Sequence, residues 1–126
     1  MRQQADERSA SRWRTVLEAR WRLRLQELTE LSLAYHAVAG GPAGAEDRHS
    51  RRLLRRAVAA RRRLADTEDA LGRVAAGSFG RCEQCGSALP TALLTAAPEA
   101  RYCAACGDPA RPVPAVMSAS TPAGSR

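Results

Sequence analysis

The sequence predicts a mainly α protein: an antiparallel two-helix coiled-coil hairpin, then a small segment organised by four cysteines, then a disordered C-terminal tail. Three observations predict it. Apolar residues recur at helical spacing on both sides of a glycine-rich turn, all four cysteines lie between residues 77 and 107, and four of the seven prolines follow residue 107. We divide the chain into a flexible N-terminus (1–8), the hairpin (9–77, turning at about 40–46), the cysteine segment (78–107) and the tail (108–126).

The first helix of the hairpin is predicted from one apolar stripe. Its residues step by three or four positions, as one face of an α-helix requires: Trp13, Leu17, Trp21, Leu25, Leu28, Leu31, Tyr35 and Val38. The stripe ends at the run Gly40-Gly41-Pro42-Ala43-Gly44, which cannot continue a helix and predicts a turn.

The second helix carries a seam with heptad spacing. Its members are Leu53, Ala57, Ala60, Leu64, Thr67, Leu71 and Val74. Because a short connection makes successive helices antiparallel neighbours, the bulky stripe of the first helix is expected to pack on this seam of mostly small residues.

The composition limits the kind of core and function that the chain can have. Its 126 residues include 26 alanines but only five Phe, Trp and Tyr residues, and alanine buries little apolar area. An all-β sandwich is disfavoured because β-branched and aromatic residues are scarce. We find no paired carboxylates, nucleophile motif or phosphate loop, so we do not expect an enzyme.

The sequence also bears on the compartment. No apolar stretch reaches the roughly 20 residues that cross a bilayer, and the N-terminal residues lack the apolar region of a secretory signal. We therefore expect a cytoplasmic protein that does not associate with membranes and whose thiols stay reduced. We also expect a monomer.

Positive charge is concentrated just after the turn. The chain has 20 basic residues, all of them arginine, 13 acidic residues and a net charge of +7. Eight arginines and no acid fall between residues 48 and 63: Arg48, Arg51, Arg52, Arg55, Arg56, Arg61, Arg62 and Arg63. None lies on the seam. Such a surface can be a solvated helix face, dock on an acidic protein or bind nucleic-acid phosphates, although no aromatic residues interleave for base stacking.

Within this cluster we select a candidate docking patch next to the turn: Arg48, Arg51, Arg52, Arg55 and Arg56. The turn itself carries two acids, Glu46 and Asp47. They are either functional groups at the hairpin tip or residues that favour the positive end of the helix dipole.

The cysteines have the spacing of a zinc site. Cys82 and Cys85 form one CxxC pair, Cys103 and Cys106 form the other, and 17 residues separate the pairs. Two such pairs at 15–20 residues typically share one tetrahedral Zn²⁺. We predict one structural zinc, because four thiolates close the shell that a catalytic zinc keeps open. A redox disulfide pair, a catalytic zinc and an iron–sulfur cluster are the less favoured alternatives.

The run from residue 70 to residue 107 resembles the DksA/TraR family of bacterial zinc-finger proteins. The resemblance lies in Gly77-Ser78-Phe79-Gly80, in Cys82-Glu83-x-Cys85-Gly86, and in the ungapped spacing to Cys103 and Cys106. It implies a protein whose helical arm enters the secondary channel of RNA polymerase and alters transcription initiation without contacting promoter sequence.

The sequence departs from the family pattern in three respects. Family tips carry two aspartates three positions apart with an alanine two positions after the second; here Gly44, Asp47 and His49 stand at those positions. Family members that respond to guanosine tetraphosphate place cations where this chain has Asp66, Ala97 and Gly107, so we expect no site for that nucleotide. The family's C-terminal helix is also replaced by the proline-rich tail.

We therefore expect a transcription regulator that binds RNA polymerase through its secondary channel and modulates initiation. Two alternatives remain. One is a nucleic-acid-binding zinc module that uses the cluster between Arg48 and Arg63. The other is a relative with an inactive tip that only competes for the channel.

Overall fold

The computed structural model describes residues 2–107, and three helices account for most of them. These are α1 (Arg2–Ala39), α2 (Arg48–Ala76) and the short α3 (Thr91–Ala96). The prediction of a mainly α fold is confirmed: two long helices precede the four cysteines, and in the part of the chain described here no extended strand forms beyond one isolated bridge between Arg81 and Ala88. The predicted disordered tail, 108–126, lies outside the described residues.

α1 is longer than the sequence predicted. It begins at Arg2 and runs for 38 residues, so the segment 1–8 that we expected to be flexible is helical from residue 2. The reason is local: this segment contains neither proline nor glycine, and nothing interrupts the helix before Gly40. At about 1.5 Å per residue, α1 is roughly 57 Å long.

The turn between the helices is closed by side chains of α2. Gly44 has a φ of +77°, which suits a residue without a Cβ. Its carbonyl accepts a hydrogen bond of 2.8 Å from the hydroxyl of Ser50, a fully buried residue. Asp47 caps α2, because its carboxylate accepts from the backbone N–H of His49 at 2.9 Å.

Two apolar clusters show that the long helices are antiparallel. Near the tip, Leu31 of α1 packs with Leu53, Ala57 and Ala60 of α2. At the other end of the hairpin, Leu17 packs with Ala70 and Val74. The packing differs from the prediction on both helices. In the seam of α2, Ala70 is fully buried whereas Leu71 is half-buried, and in the stripe of α1, Leu25 is 39% exposed.

α2 ends at a glycine that redirects the chain into the cysteine segment. Gly77 adopts the left-handed conformation, with a φ of +81°, and the N–H of Ser78 donates to the carbonyl of Arg73 at 2.9 Å. This pattern is a Schellman C-cap. None of the helices within residues 2–107 is long and apolar enough to cross a membrane.

Candidate metal centre and its attachment to the hairpin

Each CxxC pair folds into a tight turn, which we call the first knuckle (Cys82–Cys85) and the second knuckle (Cys103–Cys106). The N–H of Gly86 donates to the carbonyl of Cys82, and the N–H of Gly107 donates to the carbonyl of Cys103, both at 2.9 Å. Both glycines have positive φ angles, +77° and +66°. The repeated turn brings the two sulfurs of each knuckle to the same side of the backbone.

The four sulfurs converge on one point. All four Sγ atoms lie within 4.8 Å of one another. A tetrahedron with Zn–S bonds of about 2.3 Å has sulfur–sulfur edges of about 3.8 Å, and the Sγ atoms of Cys85 and Cys103 are 3.8 Å apart. Both the donor set and its size therefore fit one Zn²⁺.

The thiols differ in how readily they ionise. Backbone hydrogen bonds, first from Cys103 and then from Cys85, lower the pKa of Cys82 to about 6. The pKa of Cys103 is also lowered, chiefly by a backbone hydrogen bond from Cys106. In contrast, the thiols of Cys103, Cys82 and Cys85 raise the pKa of Cys106 to about 12. Four thiolates so close together repel one another, and this repulsion opposes the ionisation of all four thiols. A bound divalent cation offsets the repulsion.

Four cysteine ligands leave a zinc ion no open coordination position. A closed Cys₄ set is typical of structural sites, whereas catalytic zinc keeps one position for water or substrate. The first knuckle also lies beside a small core in which Cys82, Leu89 and Leu94 are buried. The chain thus provides for one structural zinc in a small finger.

Aromatic residues join this finger to the hairpin. Trp13 of α1 packs both on the cluster of Leu17 and Val74 and on the core of the finger. Its ring lies 5.6 Å from that of Phe79, centroid to centroid. The sequence stripe identified Trp13 as a core residue of the hairpin, but its second role beside the finger was not predicted.

A half-buried carboxylate, missed by the sequence analysis, also joins the two parts. Glu99 lies between α3 and the second knuckle. Arg20 of α1 donates to both of its carboxylate oxygens, at 2.8 and 2.9 Å, and the hydroxyl of Thr67 of α2 donates at 2.8 Å. Arg20 and Glu99 are 79 residues apart, and no periodic pattern connects them.

Arg101 makes a second set of ionic contacts between finger and α2. Its guanidinium donates to the carboxylate of Asp69 and lies 3.8 Å from that of Asp66. It also lies 3.6 Å from Glu83 of the first knuckle, which pairs with Arg73 at 3.4 Å. These charges hold the finger against the end of the hairpin opposite the tip.

The predicted tip and docking residues lie far from the metal site along the hairpin. Glu46 is exposed, and Asp47 is half-buried and occupied as the N-cap of α2. The docking patch is exposed at all five positions, namely Arg48, Arg51, Arg52, Arg55 and Arg56. Two exposed apolar residues accompany the patch on α2, Leu54 at 43% and Val58 at 55%. Arg63, by contrast, is half-buried and pairs with Glu27 of α1 at 2.9 Å.

The three positions at which the family resemblance places nucleotide-binding cations meet at one cleft. Asp66, Ala97 and Gly107 line this space of about 420 Å³ between the hairpin and the finger. Arg24, Arg63 and Arg101 also line it. Two of these arginines are held by acids of the hairpin, as described above.

Fold and site together define a helical-hairpin protein with a closed Cys₄ zinc finger. Residues 77–111 match the family model of the prokaryotic dksA/traR C4-type zinc finger, so this finger is of the DksA/TraR type. The match covers the finger, 35 of 126 residues, and leaves the hairpin outside it.

Part of the chain is also similar to a bacterial protein. An uncharacterized protein of Aquifex aeolicus (strain VF5) is 40% identical over 45 residues, which are 36% of this chain and 31% of that relative. The chain thus aligns with about a third of that relative's length. No solved structure matches the chain.

Proposed function

We propose that this protein is a bacterial transcription regulator, not an enzyme, which binds RNA polymerase through the secondary channel and modulates initiation. One observation carries the proposal: a finger of the DksA/TraR type is attached to the base of an antiparallel hairpin. α2 has 29 residues and so spans about 43 Å from the finger to the tip. This arm is long enough to reach into a deep channel. We further propose that the protein acts in the cytoplasm as a monomer.

The charged face of α2 is proposed to dock on a protein surface. Leu54 and Val58 are exposed beside the docking patch. Phosphates make no favourable contact with such apolar side chains. An acidic protein surface with an apolar centre, in contrast, complements both the arginines of the patch and the exposed apolar residues. For this reason we favour a protein partner for the patch over nucleic acid.

The tip residues support two versions of this function. Glu46 is exposed and free to contact the polymerase. Asp47 has a structural task, because its carboxylate caps α2 through the N–H of His49. In the first version the two acids modulate catalysis by the polymerase. In the second the tip is inactive and the arm only competes for the channel.

We propose that guanosine tetraphosphate does not bind the cleft between finger and hairpin. Asp66 supplies a negative charge there, and Ala97 and Gly107 supply no charge. Arg101 at the same cleft is already engaged by Asp69 and Asp66. Unchanged effects of the protein on transcription when the nucleotide is added would support this part of the proposal.

The proposal is tested by binding to purified bacterial RNA polymerase and by transcription in vitro. The wild-type chain is expected to bind, and the double variant Arg51→Glu/Arg55→Glu to bind about tenfold more weakly, because it reverses charge in the docking patch. Arg22→Glu is the matched control, since Arg22 is an exposed arginine of α1 and should not matter. Absence of polymerase binding at both low and moderate salt would refute the function.

The nucleic-acid alternative predicts a different result. It requires direct binding of duplex or single-stranded DNA, with an affinity that falls steeply as salt increases. Arg51→Ala and Arg55→Ala would then weaken DNA binding in the absence of polymerase. DNA binding that these substitutions leave unchanged would argue against the alternative.

A further inference from the structure

Glu99 contacts both helices of the hairpin although it is not a metal ligand. Arg20 of α1 donates to its two carboxylate oxygens at 2.8 and 2.9 Å, and Thr67 of α2 donates at 2.8 Å. The side chain of Glu99 is only 15% exposed. A bidentate, partly buried pair of this kind is much better defined in geometry than a surface ion pair.

The loop that carries Glu99 leads directly into the second knuckle and is attached at two further points. Arg73 of α2 donates to the backbone carbonyl of Glu99 at 3.4 Å. The N–H of Glu83, in the first knuckle, donates to the carbonyl of Arg101 at 2.8 Å. These contacts determine where the second knuckle lies relative to the first.

Metal binding and folding of such a finger are coupled, because the four ligands come together only in the folded segment. The free energy of zinc binding therefore contributes to the folding free energy of the finger. Contacts that order the second knuckle before the metal arrives reduce the entropy that zinc binding must overcome. The hairpin supplies these contacts from residues that fold with its own core, since Thr67 is fully buried in the α1–α2 seam.

We propose that Glu99 is a positioning residue for the zinc site: by binding Arg20 and Thr67 it holds the second knuckle in place and raises the zinc affinity of the finger. The hairpin is therefore a scaffold for the metal site as well as an arm. This inference is independent of polymerase binding, and the finger sequence alone does not contain it, because both partners of Glu99 lie in the hairpin.

The informative substitution is Glu99→Gln, which keeps the size of the side chain and removes its charge. Arg20 is then left partly buried without its counter-charge, whereas the contact with Thr67 can persist. Substitutions of residues that orient metal ligands weaken metal binding about 10- to 100-fold. We expect the zinc Kd of Glu99→Gln to rise about tenfold. Arg20→Gln should have the same effect, and the double variant should be no worse than either single variant.

Arg63→Gln is the matched control. It removes the pair between Arg63 and Glu27, which is 2.9 Å long and joins α1 to α2 within the hairpin. A substitution that acts only by loosening the hairpin would have its effect here too. We expect the zinc Kd of this variant to stay within about twofold of the wild type, because the side chains of both partners are 40% exposed and solvent screens their attraction.

The measurement uses the full chain, with Zn²⁺ titrated in competition with the chromogenic chelator 4-(2-pyridylazo)resorcinol under reducing conditions. Helix content and thermal unfolding are followed in the same samples by circular dichroism. An increase of about tenfold in Kd for Glu99→Gln and Arg20→Gln, with Arg63→Gln near wild type, supports the proposal. An unchanged Kd in Glu99→Gln, or an equal increase in Arg63→Gln, overturns it.

Discussion

The rings of Trp13 and Phe79 lie 5.6 Å apart and tilted by 43°, and this contact joins the first part of α1 to the chain that enters the finger. Trp13 belongs at once to the hairpin core and to the core of the finger. Residue 13 and residue 79 come from opposite ends of the hairpin sequence. Their contact therefore couples the folding of the finger to the pairing of the two long helices.

Trp13→Ala should destabilise the hairpin and the finger together. Truncation of a large buried aromatic residue costs about 3–5 kcal/mol, and since Trp13 is only half-buried we expect about 2 kcal/mol. Urea unfolding followed by circular dichroism measures this loss. Leu33→Ala is the control, because Leu33 is 67% exposed and its truncation should cost less than about 0.5 kcal/mol. Equal losses in both variants would contradict the role assigned to Trp13.

Metal analysis should find about one zinc ion per chain. Cys82→Ser should lose that zinc, because it removes one of the four sulfur ligands, the one that is buried. Chelation of the wild type should disorder the turn at Cys82–Cys85 but leave the Glu99 loop attached to Arg20 and Thr67 of the hairpin. It should also leave most of the helical circular dichroism signal, since α1 and α2 retain the tip cluster around Leu31 and Leu53. Full zinc occupancy in Cys82→Ser would contradict the assignment of the ligands.

Asp47→Ala and Asp47→Asn separate capping from function at the tip. Loss of an N-cap costs about 1 kcal/mol, and asparagine caps about as well as aspartate. Asp47→Ala should therefore lower the stability of α2, whereas Asp47→Asn should keep it and remove only the charge. Thermal unfolding gives the first comparison, and transcription in vitro gives the second. If Asp47→Asn acts on transcription as the wild type does, the charge of Asp47 has no part in activity and the inactive-tip version is favoured.

The contribution of Glu99 to stability should disappear in acid. Burial tends to raise the pKa of Glu99, but the hydrogen bonds from Arg20 and Thr67 outweigh it and the pKa is lowered. A carboxylate with a lowered pKa in the folded state stabilises the protein fully above its unfolded-state pKa, about 4.3, and progressively less as pH falls through the lower folded-state pKa.

Urea unfolding of zinc-free, reduced protein from about pH 7 down to about pH 3 tests this dependence. Without metal, the pH dependence of zinc binding by the thiols does not contribute to the unfolding free energy. The difference in unfolding free energy between the wild type and Glu99→Gln should be constant near neutral pH. It should shrink below about pH 4.3. A difference that persists undiminished in strong acid would contradict a stabilising role for the ionised carboxylate of Glu99.

The parts of the structure that follow local or periodic rules were predictable from the sequence. Helical spacing placed Leu53 and Val74 on the buried seam, and CxxC spacing brought four cysteines to one site. Local rules failed where two neighbouring residues compete for one position: Ala70 occupies the tight interface, while Leu71 lies at its edge. In the first part of the chain, residues 2–8 carry no capping signal, so the sequence did not predict that they belong to α1.

The contacts between finger and hairpin were not predictable, for a different physical reason. The pair of Arg20 and Glu99 spans 79 residues, and it exists only because two independently predictable elements dock in one orientation. That orientation depends on Trp13, Phe79 and the charges around Arg101 together. No single one of them has a sequence signature that distinguishes it from an ordinary core or surface residue.

Photo-crosslinking from the hairpin tip tests the proposed mode of action most directly. A photoreactive residue, p-benzoylphenylalanine, replaces the exposed Glu46, and the same residue at the exposed Gln84 of the finger serves as the control. With purified bacterial RNA polymerase, position 46 should crosslink to polymerase segments inside the secondary channel, and position 84 should not. Crosslinks from position 46 only to the outer surface of the polymerase, or none from a complex that does form, would contradict entry of the arm into the channel.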